Sequence, residues 1–221
     1  MAAAQVTVAH TRLSKARWLP MGRVAVSVGE PRGPLSVLAV IVAVSAISPP
    51  LAAADDVSVP PRVQAQLLAA VTSFQTNLKF SIDGAVQILV LTNDKDPQSD
   101  RVARQLVAAL GEMRKIMRRP HRESIEPFRG GPALAAACRE RGISVVYLAP
   151  GLGGAISEID QALRGSAVLT AGAVASYVPR GVLLGFDLVS GRAEMLFSPI
   201  QMRALDVHFP ASIFQLMRIV E

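Results

Sequence analysis

Two apolar stretches decide the fold: VQILVLT at residues 86–92 and ISVVYLA at residues 143–149. Both stretches are nearly continuous rather than alternating, which is the pattern of a strand that helices cover on both faces. Turn residues bound them, with DG at 83–84 before the first and PGLGG at 150–154 after the second. The two stretches therefore predict central strands of a parallel sheet.

Helical periodicity surrounds these strands. An amphipathic helix begins near Val63, and a second helix follows the NDKDP turn at residues 93–97. We expect the second helix to end before Pro120, although a glycine inside it weakens it by about 1 kcal/mol. A third helix ends at Arg141, where Gly142 supplies the left-handed residue that helix ends prefer.

The rest of the chain continues this alternation and then changes its rhythm. The patterns predict a weak extended piece over residues 124–128, a helix over 155–163, a strand over 167–170, a hairpin of strands 182–189 and 192–197, and a final helical stretch through 213–220. The predicted fold class is α/β, a Rossmann-like, largely parallel sheet with helices on both faces and a C-terminal antiparallel β-hairpin at one edge.

A secretory leader is predicted at the start of the chain. Several basic residues precede an apolar run at 35–47, and the small residues AAA at 52–54 suit a signal peptidase. The run is shorter than the roughly 20 apolar residues of a membrane-spanning helix. We predict a cleaved signal peptide over residues 1–54 and a single periplasmic domain over 55–221; an uncleaved anchor and a core helix are the alternatives. Either Met1 or Met21 can be the start.

The charge balance changes once this leader is set aside. The whole chain has a formal net charge of +6, but the leader holds five of its 23 basic and one of its 17 acidic residues, leaving 18 against 16. This small excess, without interleaved aromatic residues, disfavours nucleic acid as a partner. One basic cluster remains, and it is either a contact for an anionic surface or a solvated helix end. Its members are Arg114, Lys115, Arg118, Arg119 and Arg122.

Three motifs that bind cofactors or metals are incomplete. GLGG at 151–154 begins like a dinucleotide fingerprint, but Ile156 stands where the last glycine is required. A calcium loop beginning at Asp94 would need glycine in place of Ser99 and glutamate in place of Gln105. The histidines of the mature chain have no Cys or His neighbour at zinc-ligand spacing. We therefore expect no cofactor and no metal.

No set of acid, base and nucleophile at catalytic spacing is visible, so we expect a protein that is not an enzyme. Cys138 is the one cysteine of the chain and lies on the apolar face of a predicted helix. Burial is the expected state of such a free cysteine, and a bridge between two chains stays open as the alternative.

The predicted fold itself indicates where a site would lie. Ligands of open parallel sheets bind beyond the carboxyl ends of the strands. Here the loops at those ends are residues 92–96, 150–154 and 170–176. The candidate partner- or ligand-binding residues are Asn93, Asp94, Gly151, Gly153, Thr170, Tyr177, Val178 and Arg180. Tyr177 and Val178 are expected as exposed apolar contacts, with folding of Tyr177 onto the core as the alternative.

The order and spacing of several segments resembles the YfiR/HmsC family of periplasmic proteins. The resemblance covers most of residues 60–221. It departs at Arg180, where the family has the first glycine of a pair, and at Phe197, where it has isoleucine. The segments that carry it are the opening helix from Val63, the strand 88–92, VLT at 168–170, YVPRGVLLGF at 177–186, GRAEMLF at 191–197 and VHFPASIFQLM at 207–217.

This resemblance implies a non-enzymatic periplasmic regulator. Such a protein binds and restrains a membrane-bound diguanylate cyclase, modulates cyclic-di-GMP signalling and biofilm formation, and acts as a homodimer. The alternative function, from a different class, is a small periplasmic solute-binding domain that uses the carboxyl rim of the sheet.

Overall fold

A computed structural model describes residues 56–220 of the chain. The predicted leader, residues 1–54, lies outside this range and stays a prediction. The helices are α1 Pro61–Thr72, α2 Pro97–Gly111, α3 Gly131–Arg141, α4 Ile156–Leu163 and α5 Pro199–Leu205. The strands are β1 Val86–Thr92, β2 His121–Pro127, β3 Ile143–Leu148, β4 Leu169–Gly172, β5 Leu184–Val189, β6 Arg192–Phe197 and β7 Met217–Ile219.

All of these strands belong to one sheet with the order β2-β1-β3-β4-β5-β6-β7. The first five are parallel to one another. Strand β6 runs antiparallel to β5, and β7 runs parallel to β6. The predicted α/β class with a largely parallel sheet is confirmed.

Helices cover both faces of the sheet. The crossover from β1 to β2 and the crossover from β2 to β3 run in opposite directions, and right-handed crossovers therefore place α2 and α3 on opposite faces. Helix α1 packs beside α2, and α4 packs beside α3. Every residue of β3 is buried between these layers, as are all residues of β1 except Gln87. This burial is why both strands are apolar without alternation.

The strand order reverses direction between β1 and β3. The chain leaves β1 towards β2 on one side and leaves β3 towards β4 on the other. This is a topological switch point, where the two departing loops leave a crevice outside the carboxyl ends of the strands. The loops at residues 93–96 and 149–155 border this crevice.

The end of α2 differs from the expectation. The helix ends at Gly111 rather than shortly before Pro120, and residues 112–120 form a loop closed by a bridge between Ile116 and Arg119. Glycine weakens a helix, and the buried Ile116 gains more by turning back to the core than the helix gains by continuing. The weak extended piece predicted after this loop is strand β2, at the edge of the sheet.

The C-terminal region also differs. A helix through 213–220 is wrong: a short 3-10 turn, Ala211–Leu216, leads into strand β7, and α5 was not predicted. The ring of Phe197 explains this path, since its centroid lies 6.3 Å from that of Phe209 and 5.1 Å from that of Phe214. Aromatic packing therefore holds the tail against β6.

The predicted hairpin turn at 190–191 is confirmed, but the hairpin is not the edge of the sheet, because β7 covers β6 and β5 pairs with β4. Strand β4 begins at Leu169, two residues later than predicted. No helix within residues 56–220 is long and apolar enough to cross a membrane.

Candidate functional site

Asn93 links the two loops of the switch point. Its Nδ2 donates a hydrogen bond to the carbonyl oxygen of Gly151 at 2.7 Å. Its own backbone is held by a bond from its N–H to Oγ of the buried Ser99, at 2.9 Å, and its Oδ1 accepts from the N–H of Lys95, at 3.1 Å. The side chain is therefore fixed at the floor of the crevice.

The other end of this link, position 151, accepts only glycine. Its φ is +81°, a conformation that L side chains rarely adopt, and a Cβ there would lie 2.5 Å from Oδ2 of Asp96. Asp96 in turn caps α2, because its Oδ1 accepts a hydrogen bond from the N–H of Gln98 at 2.9 Å. At the floor of the crevice, the backbone of Gly151 therefore packs directly against the carboxylate of Asp96.

A cavity of about 350 Å³ opens on the β1 side of this floor. Asp94 is exposed and forms no ion pair within residues 56–220, whereas Asp100 pairs with Arg104. The cavity is therefore polar and negatively charged. Its lining consists of Thr92, Asn93, Asp94, Asp96, Pro97 and Asp100.

Arg180 lies on the other side of the loop that follows β3. Its Nη2 donates to the carbonyl oxygen of Gly153 at 2.5 Å, and a Cβ at Gly153 would lie 2.8 Å from its Nη1. The guanidinium therefore lies directly on this glycine and leaves part of its surface exposed to solvent. The rim carries carboxylates after β1 and a cation after β4.

The expectation that Tyr177 and Val178 are exposed is wrong. Tyr177 is completely buried, and its hydroxyl accepts a hydrogen bond from the N–H of Leu152 at 3.0 Å. Val178 is buried against Gly185, where a Cβ would lie only 2.5 Å from its Cγ2. The alternative for Tyr177 therefore applies, since it supports the β3 loop from below.

Thr170 also lies beneath the rim rather than on it. Its buried Oγ1 accepts a hydrogen bond from the N–H of Leu183 at 3.0 Å, which ties β4 to the start of β5. Of the predicted site residues, Asn93, Asp94, Gly151, Gly153 and Arg180 come together at the rim. Asp96 belongs to the predicted rim loop 92–96 but was not among the candidate residues. Asp100 was not predicted at the rim, although the first turn of a helix that follows a parallel strand begins there.

A buried polar network supports the rim from the α1 side. The hydroxyl of Tyr147 donates to Oε1 of Gln64 at 2.6 Å. Nε2 of Gln64 donates to the carbonyl oxygens of Val59, at 2.8 Å, and Ala173, at 3.2 Å. Burial raises the pKa of Tyr147 far above its usual range, with a smaller contribution from Tyr177. The phenol therefore stays a hydrogen-bond donor.

The predicted basic cluster belongs to the opposite, amino edge of the sheet. It lies in the loop between α2 and β2 and at the start of β2, not at a helix end. Arg119 stands 4.2 Å from the ring centroid of Phe80, and Arg122 pairs with Asp83 at 2.6 Å. A hydrogen bond from Ser81 lowers the pKa of Asp83. Contact of this cluster with an anionic surface stays a prediction.

Within the part of the chain that the structure describes, no three His, Cys, Asp or Glu side chains are placed to hold a metal ion. His121 instead contacts Glu123, and its Nε2 lies 2.9 Å from the carbonyl oxygen of Met113. Cys138 is buried, and burial raises the pKa of its thiol to about 11. The predicted burial of this cysteine is confirmed.

Comparison with known proteins bears on the fold of this chain alone. No protein-family model and no curated protein matches the chain. A conserved domain protein from Vibrio cholerae is 14% identical, with a TM-score of 0.53 over 74% of this chain and 61% of that one. The ABC domain in complex with L-Trp from Streptococcus pneumoniae is 10% identical, with a TM-score of 0.53 over 73% and 62% of the two chains.

A third structure is the ligand-free, open form of a substrate-binding protein with adhesive properties from Clostridium difficile. It is 14% identical, with a TM-score of 0.48, and the match covers 76% of this chain and 61% of that one. The chain thus spans about three-fifths of the length of these structures. The first two likenesses show the α/β fold of the described residues.

Proposed function

We propose that this protein binds a small solute carrying a protonated amine at the carboxyl edge of its sheet. The observation that carries the proposal is the cavity of about 350 Å³ at the switch point, with Asp94, Asp96 and Asp100 in its lining. This volume lies in the range of ligand pockets, roughly 300–1,000 Å³, and sheets of this type bind ligands at this place.

The charge of the lining favours an amine over the alternatives. Carboxylates accept charge-assisted hydrogen bonds from an ammonium group and repel an anion. Asp94 is free for such a contact, because it is exposed and forms no ion pair with any residue from 56 to 220. Asp96 is already engaged as the cap of α2, so it shapes the site through its charge.

The experiment is a titration of the purified protein with putrescine, L-lysine, L-arginine and L-Trp, in which calorimetry measures the binding. We expect saturable binding of at least one amine, and an Asp94→Asn variant should weaken it about tenfold or more through the lost charged hydrogen bond. Glu140→Gln, at an exposed site on α3 away from the rim, is the matched control and should bind normally. Failure of all four amines to bind, or equal binding by Asp94→Asn, would exclude the proposal.

A second candidate function is the one that the family resemblance implies, restraint of a membrane-bound diguanylate cyclase by a periplasmic homodimer. The observation that favours a protein partner is the exposure of apolar side chains next to the turn of the β5–β6 hairpin. Leu188 is 46% exposed and Val189 is 36% exposed. These residues replace Tyr177 and Val178 as the proposed contacts.

Affinity capture from membranes separates the two functions. Recovery of a cyclase-containing membrane protein that is lost in a Leu188→Ser, Val189→Ser double variant supports the regulator. Recovery that is unchanged in this variant counts against the hairpin contact, and no recovery counts against the regulator altogether. Both functions assume export, and cell fractionation tests that assumption: the periplasmic form should lack the tryptophan at position 18.

A further inference from the structure

A second and larger cavity lies at the amino edge of the sheet, opposite the candidate site. Its volume is about 560 Å³, and it opens between the ends of α3 and α4 and the segments that lead into β1, β3 and β4. Its apolar wall includes Phe80, Ala135, Leu163 and Val168. Cavities of this size hold small organic ligands.

The charged residues of this lining are all cations. Lys79, Arg139 and Arg164 line the cavity, and its lining contains no Asp or Glu. Arg164 pairs with Asp160 at 2.6 Å. Lys79 and Arg139 form no ion pair with any other residue in the range 56–220. The cavity therefore contains at least two positive charges that the described residues leave unneutralised.

Helix dipoles account for only part of this arrangement. Arg139 lies in the last turn of α3, where the helix dipole favours a cation. Lys79 belongs to the segment before β1 and to no helix. Its backbone is held in place, because Oγ of the buried Ser144 donates to its carbonyl oxygen at 2.6 Å. Its side chain is exposed and belongs to the lining of the cavity.

The neighbourhood strengthens the positive potential. Arg119 stands over the ring of Phe80, which is itself part of the cavity wall. The wall also includes the buried Cys138, whose neutral thiol adds apolar surface rather than negative charge. A cleft whose charged residues all have one sign concentrates the field that an anion experiences.

We propose that this amino-edge cavity binds a small organic anion, a carboxylate with an apolar body. The carboxylate pairs with Lys79 and Arg139, and the apolar body packs against the partly exposed side chains of Phe80, Ala135 and Ala162. Lysine and arginine bind a carboxylate through charge-assisted hydrogen bonds, and apolar surface adds the affinity that exposed charges alone lack in water. The site is separate from the amine site at the carboxyl edge.

The test uses a matched pair of probes, 4-phenylbutyrate and its neutral amide 4-phenylbutyramide. The purified protein is titrated with each probe, and two-dimensional NMR monitors the binding. The carboxylate should bind saturably and change the chemical shifts of residues 79–80 and 135–142 most. The amide should bind at least about tenfold more weakly, since it lacks the charge. Raising NaCl from about 0.02 to 0.5 M should weaken binding of the carboxylate alone, because salt screens exposed charges.

Variants locate the site. Lys79→Gln combined with Arg139→Gln should weaken binding of the carboxylate about tenfold or more. Arg192→Gln, on the exposed hairpin, removes a cation elsewhere and should leave binding unchanged. Asp94→Asn should also leave it unchanged, so that failure of the amine site and failure of this one are distinguishable.

Three results would overturn the proposal: no binding of 4-phenylbutyrate, equal binding of acid and amide, or normal binding by the folded double variant. If the double variant does not fold, the comparison of acid with amide and the salt dependence on the unaltered protein decide the outcome by themselves.

Discussion

Asn93 and Gly151 lie 58 positions apart in the chain, yet Nδ2 of the first donates to the carbonyl oxygen of the second at 2.7 Å. This bond joins the loop after β1 to the loop after β3 across the switch point of the sheet. It sets the floor on which a ligand at the carboxyl edge would lie. The first two predictions concern the two ends of this link.

Asn93→Ala removes the side-chain donor and leaves the carbonyl oxygen of Gly151 without this partner. We expect a loss of about 1–2 kcal/mol in the free energy of unfolding, measured by urea denaturation. Lys95→Ala, at an exposed neighbouring position, is the control and should stay within about 0.5 kcal/mol of the original protein. A similar, small effect for both variants would show that the link does not stabilise the fold.

Gly151→Ala places a methyl group 2.5 Å from Oδ2 of Asp96 at a φ of +81°. Backbone strain and overpacking together should lower the free energy of unfolding by about 2–4 kcal/mol. The matched control is Gly154→Ala, since a Cβ at Gly154 meets nothing within 4 Å and its φ is not positive. Thermal denaturation of both variants measures the difference. Equal melting temperatures would contradict the packing at the rim.

The buried pair of Gln64 and Tyr147 predicts a coupling between two substitutions. Tyr147→Phe leaves Oε1 of Gln64 without its 2.6 Å donor and should cost about 1–3 kcal/mol. Gln64→Met leaves the tyrosine hydroxyl without an acceptor. The double variant should be more stable than the sum of the two losses predicts, with a coupling of about 0.5–3 kcal/mol in a double-mutant cycle. Additive losses would indicate that the two side chains do not depend on each other.

Cys138 predicts how stability changes at alkaline pH. Burial raises the pKa of its thiol from 9.0 to about 11 in the folded protein, so the unfolded chain loses this proton first as pH rises. The stabilising contribution is complete below pH 9 and is lost between pH 9 and 11. The expected slope is about −1.4 kcal/mol per pH unit.

Urea denaturation at several pH values measures this slope, and Cys138→Ala should remove this component while other groups contribute equally to both proteins. The same burial predicts slow reaction with thiol reagents and no disulfide-linked dimer on a non-reducing gel. An identical pH slope in both proteins, or a rapid quantitative reaction of the thiol in the folded state, would contradict a buried Cys138.

Local pattern was sufficient for the central elements of the fold. Strand β1 was predicted at its observed bounds, because a continuous apolar run between turn residues directly indicates a buried strand. Helix α3 and its end at Gly142 followed from periodicity and from the left-handed cap, whose φ is +63°. The alternation of such elements was enough to predict a largely parallel sheet.

Pattern was insufficient where distant contacts compete with local preference. Residues 213–220 have helical spacing, but contacts of Phe209 and Phe214 with Phe197 hold that tail as a turn and a strand. Tyr177 lies in a segment with the composition of a surface loop. Its buried hydroxyl finds a hydrogen-bond partner in the N–H of Leu152, 25 positions earlier.

The sequence by itself determined which segments must be buried, and hence the α/β class, the strands β1 and β3 and the edge of the sheet where a ligand site was expected. Only the tertiary structure decided what meets at each edge: Asn93 with Gly151 at the carboxyl edge, and Lys79 with Arg139 around a cavity at the amino edge. The physical reason is the distance along the chain between the residues that interact. Periodicity reports how each residue faces its own element, whereas a site is built from side chains that the sheet brings together from distant parts of the chain.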